Sequence, residues 1–180
     1  TPLQLCLMTA QIANGGYKIK PKIIVNNDPI NVDLAKKSME KQNLLNPDYK
    51  LVKENKNLRI VQEAMFSSTN EIRGTSYRSR IDDPKYQFAG KTGTAQVKRI
   101  SKRERELDLK IDQIPYNDRD HALYIAYGPY KNPRYALSII VEHGGSGSKA
   151  AAPMAKKLFK LIIDRDELRE KQPNFEEISI

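Results

Sequence analysis

The run Lys91-Thr92-Gly93-Thr94-Ala95, entered through Phe88-Ala89-Gly90 and left through Gln96-Val97, constrains this chain more than any other segment. An ammonium, a hydroxyl and a missing side chain at successive positions suit an edge strand that holds a carboxylate-bearing ligand. Side chains on a strand alternate between faces, so Lys91 and Gly93 are expected on one face and Thr92 on the other. Gly93 admits a ligand backbone at close range. Lys91 brings positive charge, and the hydroxyls of Thr92 and Thr94 bring adaptable hydrogen bonds. The backbone of Thr94 and Ala95 is expected to pair with an extended peptide, as in strand addition to a sheet edge.

The rest of the chain reads as helices and strands that build around such an edge. Thr1-Pro2 is a helix start, with a hydroxyl cap and proline at the first position. Leu5, Met8 and Ile12 share one face of that helix, and Asn14-Gly15-Gly16 stops it. Tyr17 to Val25 predicts an edge strand or two short pieces, interrupted by Pro21. Residues 26–56 are polar, with turn signals at Asp28-Pro29 and Asn46-Pro47, and predict a variable surface segment. Leu58, Val61, Ala64 and Met65 predict a second amphipathic helix. Three strands follow: Gln87 to Val97, a central two-sided strand from Ala122 to Tyr127, and Tyr135 to Glu142 returning antiparallel after Gly128-Pro129 and Asn132-Pro133. Ala155, Leu158, Phe159, Ile162 and Ile163 predict a final helix across the sheet, and 165–180 a frayed, charged tail. The class is α/β in the α+β sense, with an antiparallel sheet and flanking helices.

Composition excludes several alternatives. No apolar run is long enough to span a bilayer, and there is no signal-peptide pattern. Cys6 is the single cysteine, so it forms no internal disulfide and reads as a small core residue. Net charge is +9, from 31 basic and 22 acidic residues, which raises nucleic-acid binding as a rival reading. The bases are spread, however, and their densest run, Lys98 to Glu106, is broken by acids and lacks interleaved aromatics. A solvated helix or loop with local ion pairs fits it better. His121 and His143, with no acid cluster nearby in sequence, do not read as a metal site; Asp120-His121 is expected to have a structural hydrogen-bonding role at the entry of the central strand. The reading requires no cofactor. Gly144-Gly145-Ser146-Gly147-Ser148-Lys149 is not a Walker loop, because Ser precedes the lysine and Ala150 follows it. Its glycines are expected to turn the chain from strand to helix near the end of a substrate groove.

Lys-Thr-Gly is one of three signatures of penicillin-binding proteins and serine β-lactamases, and the string Phe88 to Val97 resembles the third motif of the penicillin-binding transpeptidases. Tyr116 to Tyr130, Tyr135 to Gly145, Ala150 to Pro153, Thr1-Pro2-Leu3-Gln4-Leu5 and Ala13-Asn14-Gly15-Gly16 resemble the same family in the same order. Within it the chain is most similar to the cell-elongation class, penicillin-binding protein 2. The resemblance implies a serine β-lactamase-like fold and a D,D-transpeptidase that cross-links peptidoglycan stem peptides, binds β-lactams and works with other cell-elongation membrane proteins. It also implies an inner-membrane anchor, with this part in the periplasm. Lys91 would assist proton transfer, Thr92 and Thr94 would hold the terminal carboxylate, Gly93 would admit the substrate, and the Thr94 N–H would be an oxyanion donor.

The family's first two motifs, Ser-x-x-Lys and Ser-x-Asn, are expected upstream of Thr1. The chain therefore reads as the C-terminal part, 1–180, of one transpeptidase domain, with the nucleophile absent and no activity alone. Ser38-Met39-Glu40-Lys41, Ser68-Thr69-Asn70 and Ser146-Gly147-Ser148-Lys149 match the motifs literally, but their spacing and surroundings are wrong for a shielded nucleophile. A non-catalytic scaffold or interaction module is the alternative from another class; a basic nucleic-acid binder comes third. An apolar face left bare on such a piece is expected to drive self-association.

Overall fold

The computed structural model describes residues 1–21, 50–52, 54–99 and 109–171. Helix α1, Pro2–Ala13, starts as the sequence indicates: Thr1 caps it, Gln4 completes a capping box, and proline occupies the first turn. It ends where Gly15 and Gly16 take positive φ of 91° and 89°. Tyr17 forms only an isolated bridge with Lys50, so residues 18–21 do not continue the expected strand, and Lys22 to Val25 lie outside the described residues. Most of 26–56 lies outside them too, although its last residues already belong to helix α2, Asn55–Asn70.

Strands β1 (Ala89–Ala95), β2 (His121–Gly128) and β3 (Tyr135–Val141) form one antiparallel sheet in the order β1-β2-β3. β2 is central, as its nearly continuous apolar run predicts. Its alternation divides the core. Ala122, Tyr124 and Ala126 face Phe88, Ala151, Ala152, Ala155, Phe159 and Ile163, where the C-terminal helix α3, Ala152–Lys171, crosses the sheet. Tyr127 and Ile125 face the other way, toward Ile12 and Ala13 of α1 and Met65 and Phe66 of α2. Helices thus cover both faces of a small sheet.

One position on α3 differs from its stripe. Ala155, Phe159 and Ile163 are buried, but Leu158 is 40% exposed, because the stripe that meets so narrow a sheet is a single row. The described helix continues past Arg165. Asp166 pairs with Arg134 at 3.1 Å and Glu167 with Lys85 at 2.8 Å, and the helix runs on to Lys171; 172–180 lie outside the described residues. No helix among the described residues is long and apolar enough to cross a membrane.

Candidate active site

β1 is the edge strand of the described sheet, so one side of the Lys91-Thr92-Gly93-Thr94 backbone is not paired by β2. The register opposes Lys91 to Ile125, Thr92 to Tyr124, Gly93 to Leu123 and Thr94 to Ala122. Lys91 and Gly93 therefore share the face of α1 and α2, and Thr92 and Thr94 lie on the other, as period-two alternation requires. Lys91 and Thr94 are exposed and Thr92 is partly covered. The Lys91 ammonium donates to the Thr92 carbonyl oxygen at 2.8 Å.

A groove of about 620 Å³ opens beside this strand. Met8, Ile12, Ile60, Val61, Ala64 and Met65 supply its apolar lining, and Lys91, Arg73, Glu71 and Thr75 its charged and polar lining. An apolar lining with two cations and one carboxylate suits an amphiphilic ligand. Val61, on the apolar stripe of α2, is 42% exposed and lines this groove.

Three supports hold the strand in place. Behind it, Tyr124 lies over Gly90 so closely that a Cβ at 90 would run into the phenol. The Tyr124 hydroxyl bonds Thr69 Oγ1 at 2.9 Å and Ser76 Oγ at 3.0 Å. Burial raises its pKa above the ordinary tyrosine value, partly countered by those two hydrogen bonds. At the strand's entrance, the Asn70 amide donates to Phe66 O and Phe88 O, at 3.0 and 2.9 Å. At its exit, Asp120 Oδ1 accepts the Val97 N–H at 3.3 Å.

The literal motif matches acquire separate explanations. In Ser68-Thr69-Asn70, Thr69 is buried against Tyr124 and Asn70 fixes the strand entrance, while Ser68 lines the groove and bonds Thr75. Ser146 Oγ bonds Ser148 Oγ at 3.1 Å in the turn before α3. Ser38 lies outside the described residues, as do 100–106 of the basic run; Lys98 pairs with Asp118 at 2.9 Å. Cys6 is half-buried, its thiol pushed up in pKa by burial and 3.4 Å from the Ala136 oxygen.

Sequence reasoning did not bring His121 and His143 together. Their rings lie 4.8 Å apart, because the turn after β3 folds back on the start of β2. His121 Nδ1 accepts the His143 N–H at 2.9 Å, so its proton sits on Nε2; His143 Nδ1 faces the Arg119 carbonyl at 3.1 Å and must donate to it. His143 has φ of 54°, in the left-handed region, and this pair of bonds holds it there. The imidazoles are thus committed to backbone atoms.

An antiparallel sheet with helices on both faces and Lys-Thr-Gly on its edge strand has the serine β-lactamase-like fold of penicillin-binding transpeptidases. The chain belongs to the family of the penicillin binding protein transpeptidase domain, whose model matches residues 1–160. It is 30% identical over 165 residues to the peptidoglycan D,D-transpeptidase MrdA of Salmonella typhimurium, covering 91% of this chain and 25% of that protein. It is 34% identical over 162 residues to the MrdA of Acinetobacter baumannii, covering 88% and 22%. Among solved structures, it is similar to the penicillin-binding protein PBP2 of Helicobacter pylori in its complex with MreC, at TM-score 0.59 and 31% identity over 89% of this chain and 25% of that one. PBP2 of Pseudomonas aeruginosa, in complex with WCK 5153, gives TM-score 0.60 at 29% identity over 90% and 30%. The chain thus spans about a quarter of the length of these relatives.

Proposed function

We propose that this chain is the substrate-holding part of a peptidoglycan D,D-transpeptidase of the cell-elongation class, and that its nucleophilic serine lies outside residues 1–180. The observation that carries the reading is the edge strand Ala89–Ala95, with its Lys91-Thr92-Gly93-Thr94 run, beside an apolar groove that Lys91 and Arg73 help to line. The similarity to MrdA and PBP2 proteins supports it.

In the reaction, the serine oxygen attacks the carbonyl of the penultimate D-alanine of a stem peptide. The bond to the terminal D-alanine breaks, and the serine proton passes to the departing amine. An amine of a neighbouring strand then attacks the ester, forms the cross-link and returns the proton to the serine. Lys91 supplies positive potential near that proton. Thr92 and Thr94 hold the terminal carboxylate, Gly93 admits the peptide backbone, and the Thr94 N–H is one oxyanion donor. Losing a donor of this kind typically costs about 100- to 1000-fold in rate. β-Lactams enter the same site and stall at the acyl-enzyme. The whole protein is anchored in the inner membrane with this part in the periplasm, and partners of the elongation machinery fit the class, as in the Helicobacter pylori PBP2–MreC complex.

The test is intact-mass spectrometry after incubation with a reporter penicillin, on this chain and on the protein extended upstream to the length of its relatives. The reading expects an adduct on the longer protein only. No adduct on either favours a non-catalytic scaffold.

A further inference from the structure

A second row of hydroxyls reaches the strand from the side. After α2 the chain turns through Glu71 to Ser76 and packs on the helix it has just left. The Gly74 N–H donates to Glu71 O at 2.8 Å and the Ser76 N–H to Ser68 O at 3.0 Å. Gly74 lies so close to the Ser67 and Ser68 carbonyls that any side chain there would push the turn away. The turn so fixed holds Thr75 between the helix and β1. Ser68 Oγ is 3.1 Å from Thr75 Oγ1, and Thr75 Oγ1 is 3.3 Å from Thr92 Oγ1.

Each hydroxyl has one proton to give and two lone pairs to receive with. If Thr92 spends its proton on Thr75, only lone pairs are left to face an anion. If Thr75 donates to Thr92, and Ser68 to Thr75, the Thr92 proton is free for a carboxylate. The bonds then run in one direction and polarise one another. An anion at Thr92 selects that direction.

We propose that Thr75, backed by Ser68, is a positioning residue that directs the Thr92 hydroxyl toward the substrate carboxylate. The inference rests on the acyl-transfer reading and names two residues that tune it without touching the scissile bond. Neither serves as the nucleophile.

The experiment uses the protein at the length of its relatives and measures acylation rates with a penicillin and with its methyl ester, which lacks the carboxylate charge. Thr75→Val keeps the branched shape and deletes the hydroxyl; Thr75→Ser keeps the hydroxyl. Loss of one such bond predicts about three- to tenfold slower acylation of Thr75→Val by the free-acid penicillin. The ester should react with Thr75→Val as it does with the unaltered protein. Thr75→Ser should restore the free-acid rate, and Ser68→Ala should show a smaller loss in the same direction. Equal losses with both penicillins would mean that Thr75 only supports the fold, and no loss with either would mean that the hydroxyl is idle; both outcomes overturn the proposal. An unaltered protein that forms no adduct overturns the acyl-transfer reading itself, and this inference with it.

Discussion

Gly147 lies directly against the backbone of Gly93: a Cβ at 147 would stand 2.6 Å from the Gly93 carbonyl oxygen and would run into that of Leu123. The turn that launches α3 is therefore seated on the strand that carries the lysine and threonines. Two glycines, one on each side of the contact, bring the end of the chain against the candidate site. The glycine-rich connection is explained by this seat and needs no phosphate.

Gly147→Ala should destabilise the fold by about 1–3 kcal/mol, because backbone has to move to accept one methyl group. For a chain of this size that corresponds to a fall in Tm of roughly 3–10 °C. Thermal unfolding followed by circular dichroism checks it, and an unchanged Tm would show that the seat is loose.

Tyr124→Phe should cost about 1 kcal/mol, since Thr69 and Ser76 lose a shared partner but keep backbone acceptors in Met65 O and Ser68 O. Combining it with Thr69→Val in a double-mutant cycle should give less than the sum of the two single costs. Additive costs would mean that the 2.9 Å bond between these hydroxyls carries no energy.

Stability should fall in alkali. Burial raises the Tyr124 and Tyr127 phenols above their ordinary value, with Tyr130 adding to the effect on Tyr127. A raised folded-state pKa means that the native state holds its proton more tightly than the unfolded chain does. The stabilisation is complete below the unfolded value near pH 10 and is lost as pH rises through the folded one. Urea midpoints measured from pH 8 to 11 should decline above pH 10, and Tyr127→Phe should flatten that decline. An unaltered slope in Tyr127→Phe would assign the loss to other groups.

Residues 1–180 alone should self-associate through the groove wall. Met8, Ile60 and Val61 are 42%, 54% and 42% exposed on neighbouring turns of α1 and α2, an apolar surface that favours a partner. Sedimentation velocity should show species larger than a monomer that Val61→Lys disperses. A monodisperse monomer across a wide concentration range would contradict the expectation.

The strands and most of the helices were legible because their signals are local. Thr1-Pro2 caps α1 within four residues, β2 is a nearly unbroken apolar run, and alternation alone sorts Lys91 and Gly93 from Thr92. The parts that were not legible depend on contacts distant in sequence. Nothing in the sequence places His121 against His143, or the Tyr124 hydroxyl between Thr69 and Ser76. Val61 and Leu158 fit helical stripes but stay exposed, Val61 in the groove beside α1 and Leu158 off the row of α3 that meets the described sheet. Nor does the sequence show that Arg134 and Lys85 pair with Asp166 and Glu167. The contact of Thr75 with Thr92, seventeen residues on, likewise needed the fold.

Peptide mapping of the penicilloylated residue tests the central claim most directly. The protein extended to the length of its relatives would be labelled with a reporter penicillin, digested and sequenced by mass spectrometry. The account predicts the label on a serine outside residues 1–180, with none on Ser38, Ser68 or Ser146. A label on any of those three would make this chain the carrier of its own nucleophile and contradict the division of labour proposed for it.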